Sequence, residues 1–264
     1  MANPLDNIEE RHIQMLKSST TSKHPSQPAP VCRYCGRTLA LPVAPIEGTS
    51  IYPFVPCDCE GSRAAYAVME RERREEEERA AAEKHEKRLN AAGIPKRFRG
   101  LEIDAGDYVS SVKEGRSLIL TGNVGTGKTS LACAVAEALI DRKTVKFTTI
   151  ADINASLFDK EASENELFRS LSNTDLLILD DLDKGKLGEW SVGLVYRVVN
   201  QRYEDCKPII VTMNCGMTEL KLRLTVKDDA TTAEAIVSRL YEMSHGSVIN
   251  YGGKDKRLAK RAWA

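Results

Sequence analysis

LILTGNVGTGKT, residues 118–129, sets the architecture of this chain. From Gly122 onward it fits the pattern G-x-x-x-x-G-K-[S/T] at every fixed position. Glycines let successive backbone N–H groups turn towards phosphate oxygens, and the helix that follows adds the positive end of its dipole. A glycine-rich turn that matches by chance is the alternative, but an apolar strand before the motif and an apolar helix after it favour a phosphate site. The sequence therefore predicts that this loop binds a nucleoside triphosphate.

The individual residues of this loop have separate expected roles. The residues predicted to bind the phosphates and their cation are Gly122, Asn123, Val124, Gly125, Thr126, Gly127, Lys128 and Thr129. Lys128 is expected to reach the β- and γ-phosphates of ATP, and the Thr129 hydroxyl is expected to bind Mg²⁺.

Two polar segments downstream complete the predicted site. The apolar run Leu176–Leu179 leads directly into Asp180 and Asp181. Asp180 is predicted to hold Mg²⁺ and Asp181 to orient the attacking water, although acids after a strand can also simply start a helix. Asn214 follows the next apolar strand, where its amide is expected to contact the γ-phosphate or the water.

Length and composition restrict the possible classes of protein. The 264 residues fit one α/β domain and a smaller unit. The 38 Lys and Arg residues balance the 38 Asp and Glu residues, so any contact with nucleic acid must be local. The sequence has no run of about eighteen apolar residues and no apolar signal core, which predicts a cytoplasmic protein without membrane contact. In that compartment the seven cysteines are expected to be thiols or metal ligands and not disulfides.

From about residue 94 the apolar pattern alternates between strands and helices. Strands are predicted near 117–121, 145–149, 175–180, 208–213 and 247–251, and helices near 128–142, 151–158, 163–172, 188–205, 232–243 and 254–262. Strands that read as unbroken apolar runs are buried on both faces, so we expect an α/β fold with a parallel five-stranded sheet between helices. The chemistry of such sheets lies at the carboxyl ends of the strands.

The chain before this α/β domain divides into three predicted parts. An N-terminal helix and flexible linker occupy 1–30, a zinc-binding module 31–62 and a charged connecting helix 63–92, which leaves 93–264 for the ATPase domain. Residues 3–17 show helical apolar spacing that suits a docking peptide or a frayed terminal helix. The connecting helix carries oppositely charged pairs four residues apart and no sustained apolar seam, which favours a solvated helix over a coiled coil.

Four cysteines form two closely spaced pairs, Cys32 with Cys35 and Cys57 with Cys59. Two thiolate pairs that bracket a loop are typical of a structural Zn²⁺ site, because four sulfurs close a tetrahedron. The segment between the pairs is rich in proline and poor in core residues, so it could hardly fold without such a staple. The C-x-C spacing of the second pair is tighter than usual, and four unrelated cysteines are the alternative.

Taken together, the phosphate loop, Asp180-Asp181, Thr212-x-Asn214 and Ser238-Arg239-Leu240 resemble the AAA+ ATPases of the DnaC/DnaI helicase-loader and IstB group. The segments 93–98 and 200–204 match as well, so the resemblance covers about residues 93–262. It implies a P-loop fold with a reduced helical lid. The cysteine pairs are similar to the zinc module that some members place before the ATPase domain.

The resemblance implies roles for particular residues. Asn214 would be sensor 1, Arg239 the arginine finger that reaches a neighbouring subunit's site, and Arg257 the sensor 2 arginine. An arginine finger supplied in trans can be worth about 10³–10⁵ in rate, so an isolated subunit should hydrolyse ATP poorly. Taken alone, Arg239 would more often be a surface ion-pair residue. Asp181 stands where the family more often has glutamate, which suggests slow turnover.

The function that the resemblance implies is that of an ATP-dependent homo-oligomer that loads a hexameric DnaB-type replicative helicase and engages single-stranded DNA. The extra helical segment 151–172 would line the DNA path, with Lys160 and Arg169 as its bases. An IstB-like transposition accessory ATPase, which binds duplex DNA and a transposase, is the alternative, and the zinc module favours the loader. A small-molecule kinase would need an arginine-rich lid, and a GTPase would need N-K-x-D after the fourth strand; the sequence offers neither.

Overall fold

The computed structural model describes residues 31–38, 57–158, 163–185, 187–227 and 229–253. The expected N-terminal helix and linker, the helix near 254–262, Lys160 and Arg257 lie outside these ranges. The chain divides into two compact units, one up to Ala80 and one from Ala81 onward. The long helix α1, Glu60–Ala92, contributes residues to both units.

The second unit alternates helices and strands in the predicted order. After the end of α1 and a short 3₁₀ turn at Lys96–Phe98, its elements are α2 Gly106–Lys113, β1 Leu118–Thr121, α3 Lys128–Glu137, β2 Val145–Thr149, α4 Ile150–Phe158, α5 Glu164–Asn173, β3 Leu176–Asp180, α6 Glu189–Glu204, β4 Ile209–Thr212, α7 Met217–Leu224, α8 Ala230–Met243 and β5 Val248–Asn250. The predicted helix near 128–142 ends at Glu137, because the chain turns before β2.

The five strands form one sheet in the order β2-β3-β4-β1-β5, and every neighbouring pair is parallel. The prediction of a parallel five-stranded sheet is therefore confirmed. Because all strands run the same way, their carboxyl ends meet at one edge, where β1 leads into the phosphate loop and β3 ends at Asp180.

Side chains that alternate along each strand divide the core into two layers. In β3, Leu177 and Leu179 pack into one cluster with α4 to α8, whereas Leu176 and Ile178 pack into the other. The second cluster also contains the end of α1, one residue of α2 and most of the buried face of α3. Burial on both faces accounts for the unbroken apolar runs from which the sheet was predicted.

Two helices of the second unit were not predicted. Each of α2 and α7 has eight residues, and they bury one and two side chains respectively. So short a segment with so few apolar contacts shows no helical period. No helix within the described ranges is both long and apolar enough to cross a membrane.

Candidate nucleotide site and cysteine cluster

The loop between β1 and α3 has a backbone shape that only glycine supports at its two ends. Gly122 has φ +134°, and a Cβ there would lie 2.4 Å from the carbonyl oxygen of Tyr251. Gly127 has φ +108° and caps the N-terminus of α3. Both positions match fixed glycines of the motif, and the start of α3 directs its backbone N–H groups into the loop.

The ammonium group of Lys128 is held inside this loop. Its Nζ donates hydrogen bonds to the carbonyl oxygens of Gly122 at 2.7 Å and Asn123 at 2.8 Å, and to Oδ1 of Asn214 at 3.0 Å. Only 5% of the residue is exposed, and this burial lowers the pKa of the amine. A buried ammonium group whose hydrogen bonds go to neutral oxygens attracts an anion such as a phosphate.

Oxygen ligands suitable for a hard cation meet beside the lysine. Oδ1 of Asp180 accepts hydrogen bonds from the hydroxyls of Thr129 at 2.9 Å and Thr212 at 2.6 Å. Burial raises the pKa of the Asp180 carboxyl, while both hydroxyls oppose that rise. Since Mg²⁺ prefers carboxylate and hydroxyl oxygens, Thr129 and Asp180 fit the ion that the sequence predicts for them.

Asp181 lies at the mouth of the same site in a strained conformation. Its φ is +52°, which is uncommon for a residue with a side chain, and its Oδ2 accepts a hydrogen bond from Nζ of Lys184 at 2.9 Å. Its backbone N–H donates to the Thr212 hydroxyl at 2.9 Å. These contacts hold the carboxylate beside the loop, and its predicted role with the attacking water remains a prediction.

A buried carboxylate that the sequence interpretation missed lies behind Asn214. Oδ2 of Asp183 accepts the Asn214 backbone N–H at 2.9 Å, and its Oδ1 lies 3.4 Å from Nδ2 of the same residue. An aspartate that is 4% exposed needs hydrogen-bond donors, but the acidic run Asp180, Asp181 and Asp183 does not show in the sequence which of its members is buried.

Lys128, Thr129, Asp181 and Asn214 line one cavity of about 340 Å³ in the second unit. Its walls are formed by Arg97, Phe98, Leu101, Glu102, Ile103, Val124, Gly125, Gly127, Lys128, Thr129, Ser130, Asp181, Lys184, Asn214 and Tyr251. The segment 97–103 contributes three apolar side chains, Phe98, Leu101 and Ile103, beside two charged ones, whereas the rest of the lining carries the phosphate-loop and strand-end polar groups. The combination suits a ligand with a flat apolar part and a charged part.

Arg239 lies on α8, away from these polar groups. Its guanidinium carbon is 5.5 Å from the ring centroid of Tyr196 and 5.8 Å from that of Tyr203, both on α6. Nη1 donates to the Ala235 carbonyl at 3.3 Å. The structure therefore does not bring Arg239 to the cavity of its own chain, as is required of a finger that acts on a neighbouring copy.

In the first unit, the four cysteines of the predicted zinc module lie together. The Cys32 and Cys59 sulfurs are 3.7 Å apart, those of Cys35 and Cys57 are 3.6 Å apart, and all four lie within 4.8 Å of one another. A tetrahedral Zn²⁺ with bonds of about 2.3 Å places its sulfurs about 3.8 Å apart, so the cluster fits this ion. Backbone N–H groups of Cys35 and Tyr34 lower the pKa of the Cys32 thiol to about 7, which favours the thiolate that a metal requires.

Known proteins resemble most of this chain. The model of the family described as IstB-like ATP binding protein matches residues 69–264. The replicative helicase loader DnaC of Escherichia coli (strain K12) is 32% identical over 109 residues, which cover 39% of this chain and 44% of that protein. The insertion sequence IS21 putative ATP-binding protein of Pseudomonas aeruginosa is 32% identical over 154 residues, which cover 57% of this chain and 56% of that protein.

The chain thus spans about half the length of these relatives. Among solved structures, the crystal structure of the DnaI has a TM-score of 0.47 and 22% identity, and the match covers 60% of this chain and 93% of that one.

Proposed function

Because the chain belongs to the family of IstB-like ATP-binding proteins, we propose that it is an ATPase that loads a hexameric DnaB-type replicative helicase. The ATPase proposal rests on one observation, namely that Lys128, Thr129 and Asp180 lie together at one edge of the sheet. A lysine that a phosphate can draw from its carbonyl oxygens, next to an oxygen site for Mg²⁺, is what hydrolysis of a nucleoside triphosphate requires.

In the proposed reaction, the phosphate loop and Lys128 hold the β- and γ-phosphates, and Asn214 contacts the γ-phosphate from the adjacent strand. Mg²⁺, when bound at Thr129 and Asp180, supplies positive charge that offsets the charge developing on the phosphate oxygens. Asp181 orients the attacking water. The pairing of Asp181 with Lys184, and its short side chain, support slow turnover. Such a rate suits a switch better than a motor.

The proposed assembly is a homo-oligomer with ATP at the subunit interfaces, in which Arg239 of one copy completes the site of the next. Single-stranded DNA is the proposed nucleic-acid partner, contacted through the segment around α4 and α5, where Arg169 is exposed. Because the chain carries equal numbers of acidic and basic residues, that contact depends on local basic groups.

The cysteine cluster supports the loader over its alternative. With Zn²⁺ bound, the first unit becomes a small rigid module that grips the helicase together with the N-terminal segment. The similarity to the IS21 protein covers more of this chain than the similarity to DnaC, which supports an IstB-like transposition accessory ATPase as the second candidate. That candidate would bind duplex DNA and a transposase.

An affinity experiment tests the two candidates directly. The tagged full-length chain is incubated in extract of its native host with and without ATP, and the captured proteins are identified by mass spectrometry. We expect ATP-dependent capture of a replicative helicase by the wild type and its loss in Lys128→Ala. Lys207→Ala is the matched control and should behave as wild type. The Lys207 ammonium group lies near the carbonyl oxygens of Ser172 and Asn173, at the end of α5.

Capture of a transposase without a helicase would favour the second candidate. Absence of measurable ATP affinity in the purified wild type would overturn both, since each depends on nucleotide binding at Lys128.

A further inference from the structure

Asp183 is a buried carboxylate for which the proposed reaction has no assigned use. It is 4% exposed and lies on the loop after β3, two residues beyond Asp181. No ion pair among the described residues includes it, although burying an unpaired carboxylate costs several kcal/mol. Its donors instead come from Asn214, through the backbone N–H at 2.9 Å and Nδ2 at 3.4 Å.

These contacts determine which way the Asn214 amide faces. A side-chain amide has a donor end and an acceptor end, a carboxylate only accepts and an ammonium only donates. With Asp183 on one side and Lys128 Nζ at 3.0 Å from Oδ1 on the other, only one of the two amide orientations satisfies both neighbours. The backbone bond in addition fixes the end of β4 against the loop after β3.

The loop that carries Asp183 is itself anchored. The Asp183 carbonyl oxygen accepts a hydrogen bond from Nη1 of Arg223 at 3.0 Å, which ties the loop to α7. Burial raises the pKa of the neighbouring Cys215 thiol to about 11, and the Asp183 charge adds to the rise, so this thiol stays protonated beside the carboxylate. Asp183 therefore has a fixed place from which to act on Asn214.

We propose that Asp183 is a positioning residue that sets the orientation of Asn214 at the nucleotide site and so couples the loop after β3 to the γ-phosphate. This inference rests on the proposed ATPase function. It adds a residue that is not part of the cavity wall, and it predicts that Asp183 has no effect on turnover once the Asn214 side chain is removed.

The test is a double-mutant cycle on the full chain. Asp183→Asn leaves one acceptor oxygen where the carboxylate has two. With that oxygen on the shorter backbone bond of 2.9 Å, the Asn214 Nδ2 donor loses its partner. We expect kcat to fall about 10- to 100-fold, the range for losing a hydrogen bond to a charged group, while KM for ATP stays within about threefold. In the Asn214→Ala background, Asp183→Asn should lower kcat no further.

Asp175→Asn is the matched control. The Asp175 carboxylate also accepts a backbone N–H and a hydroxyl, both from Thr144 at 2.8 Å, but it precedes β3 and so lies at the opposite edge of the sheet. This variant should keep the wild-type kcat. A purely structural role of Asp183 would lower kcat equally in both backgrounds, and that result would overturn the inference, as would a wild-type kcat in Asp183→Asn.

Nucleotide binding supplies a second measurement that does not need turnover. The ratio of the affinities for a non-hydrolysable ATP analogue and for ADP depends on contacts with the γ-phosphate. Asp183→Asn should reduce this ratio to the value measured for Asn214→Ala. An unchanged ratio counts against the inference. A wild type that binds neither nucleotide would refute the proposed function itself. If Asp183→Asn fails to fold, Asp183→Ser replaces it, since a hydroxyl accepts a hydrogen bond within a smaller volume.

Discussion

At the scale of single residues, Arg239 has no acidic partner within the part of the chain that the structure describes. Among the described residues its contacts are two tyrosine rings and one carbonyl, and its Nε is buried without a hydrogen-bond partner. Contacts of this kind hold a guanidinium in place but do not neutralise it. The group thus remains able to pair with an anion from another molecule, as the proposed trans-acting role requires.

Arg239→Ala should abolish stimulated ATP hydrolysis while nucleotide binding stays intact. An arginine finger is worth about 10³–10⁵ in rate, whereas loss of the cation–π contacts costs only about 0.5–1 kcal/mol of folding stability. Steady-state hydrolysis at protein concentrations that permit assembly measures the loss of rate. A nucleotide titration measures whether binding is intact.

Arg197→Ala provides the comparison for that variant. Arg197 also lies on an aromatic ring, that of Phe168 at 4.5 Å, but it is already paired with Glu164 at 2.5 Å. Its removal should leave hydrolysis unchanged. Wild-type turnover in Arg239→Ala would remove the arginine-finger assignment.

At the scale of elements, charged groups connect the last turns of α1 to the end of α3 and to the turn that follows it. Nδ1 of His85 lies 2.9 Å from Oδ2 of Asp141, and its Nε2 lies 3.6 Å from Oε1 of Glu137. Arg88 pairs with the same Asp141 carboxylate at 3.2 Å. Leu89 is 2% exposed, so this part of the predicted solvated helix belongs to the core of the second unit.

This contact should make the stability of the second unit depend on pH. The hydrogen bond to Asp141 raises the pKa of His85 against the opposing effect of burial, so the folded state binds the proton more tightly than the unfolded state. The contribution is fully present below the unfolded pKa of about 6.5 and is lost as pH rises through the higher folded value.

His85→Gln should therefore lower Tm more at pH 5.5 than at pH 8, as measured by thermal unfolding across that range. Lys87→Gln is the comparison on the same helix, because Lys87 is exposed and its ion pair, at 2.6 Å, is with Glu83 of that same helix. An equal Tm loss at both pH values in His85→Gln would contradict the prediction.

Which elements could be predicted depended on whether their contacts are local in the sequence. Each strand is an apolar run that can be recognised from its own residues, without knowledge of its contacts. Because a parallel sheet brings the carboxyl ends of its strands together, Asp180 and Asn214 were expected near Lys128. Asp183 and His85 contact residues 31 and 56 positions away, and no spacing reveals such pairs. The helix α7 shows no period because its buried residues are only Leu220 and Leu224.

At the scale of the whole molecule, the two units differ in what stabilises them. The second has a two-layer core, whereas the buried apolar residues described in the first are Cys32 and Cys57. With so few buried side chains among its described residues, the first unit is expected to obtain folding free energy from a metal, and structural Zn²⁺ contributes about 10–16 kcal/mol in small zinc-binding peptides.

Removal of zinc should therefore unfold the first unit and leave the second folded. We expect elemental analysis to give one zinc per chain in the wild type and none in Cys32→Ser. Calorimetry should then show loss of one transition while the transition of the second unit persists. Cys206→Ser, which replaces an exposed thiol, is the control and should retain the metal. Absence of zinc from wild-type protein purified without chelators would contradict the prediction.

The strand order has a consequence for synthesis on the ribosome. Both neighbours of β1 come from later in the chain, since β4 begins at Ile209 and β5 at Val248. A nascent chain therefore carries β1 with both backbone edges unpaired from the synthesis of Thr121 until that of Ile209, and such edges can pair with those of other unfinished chains. The Tyr251 N–H bonds to the Thr121 carbonyl at 2.7 Å, so this edge of β1 is fully paired only after residue 251 has left the exit tunnel.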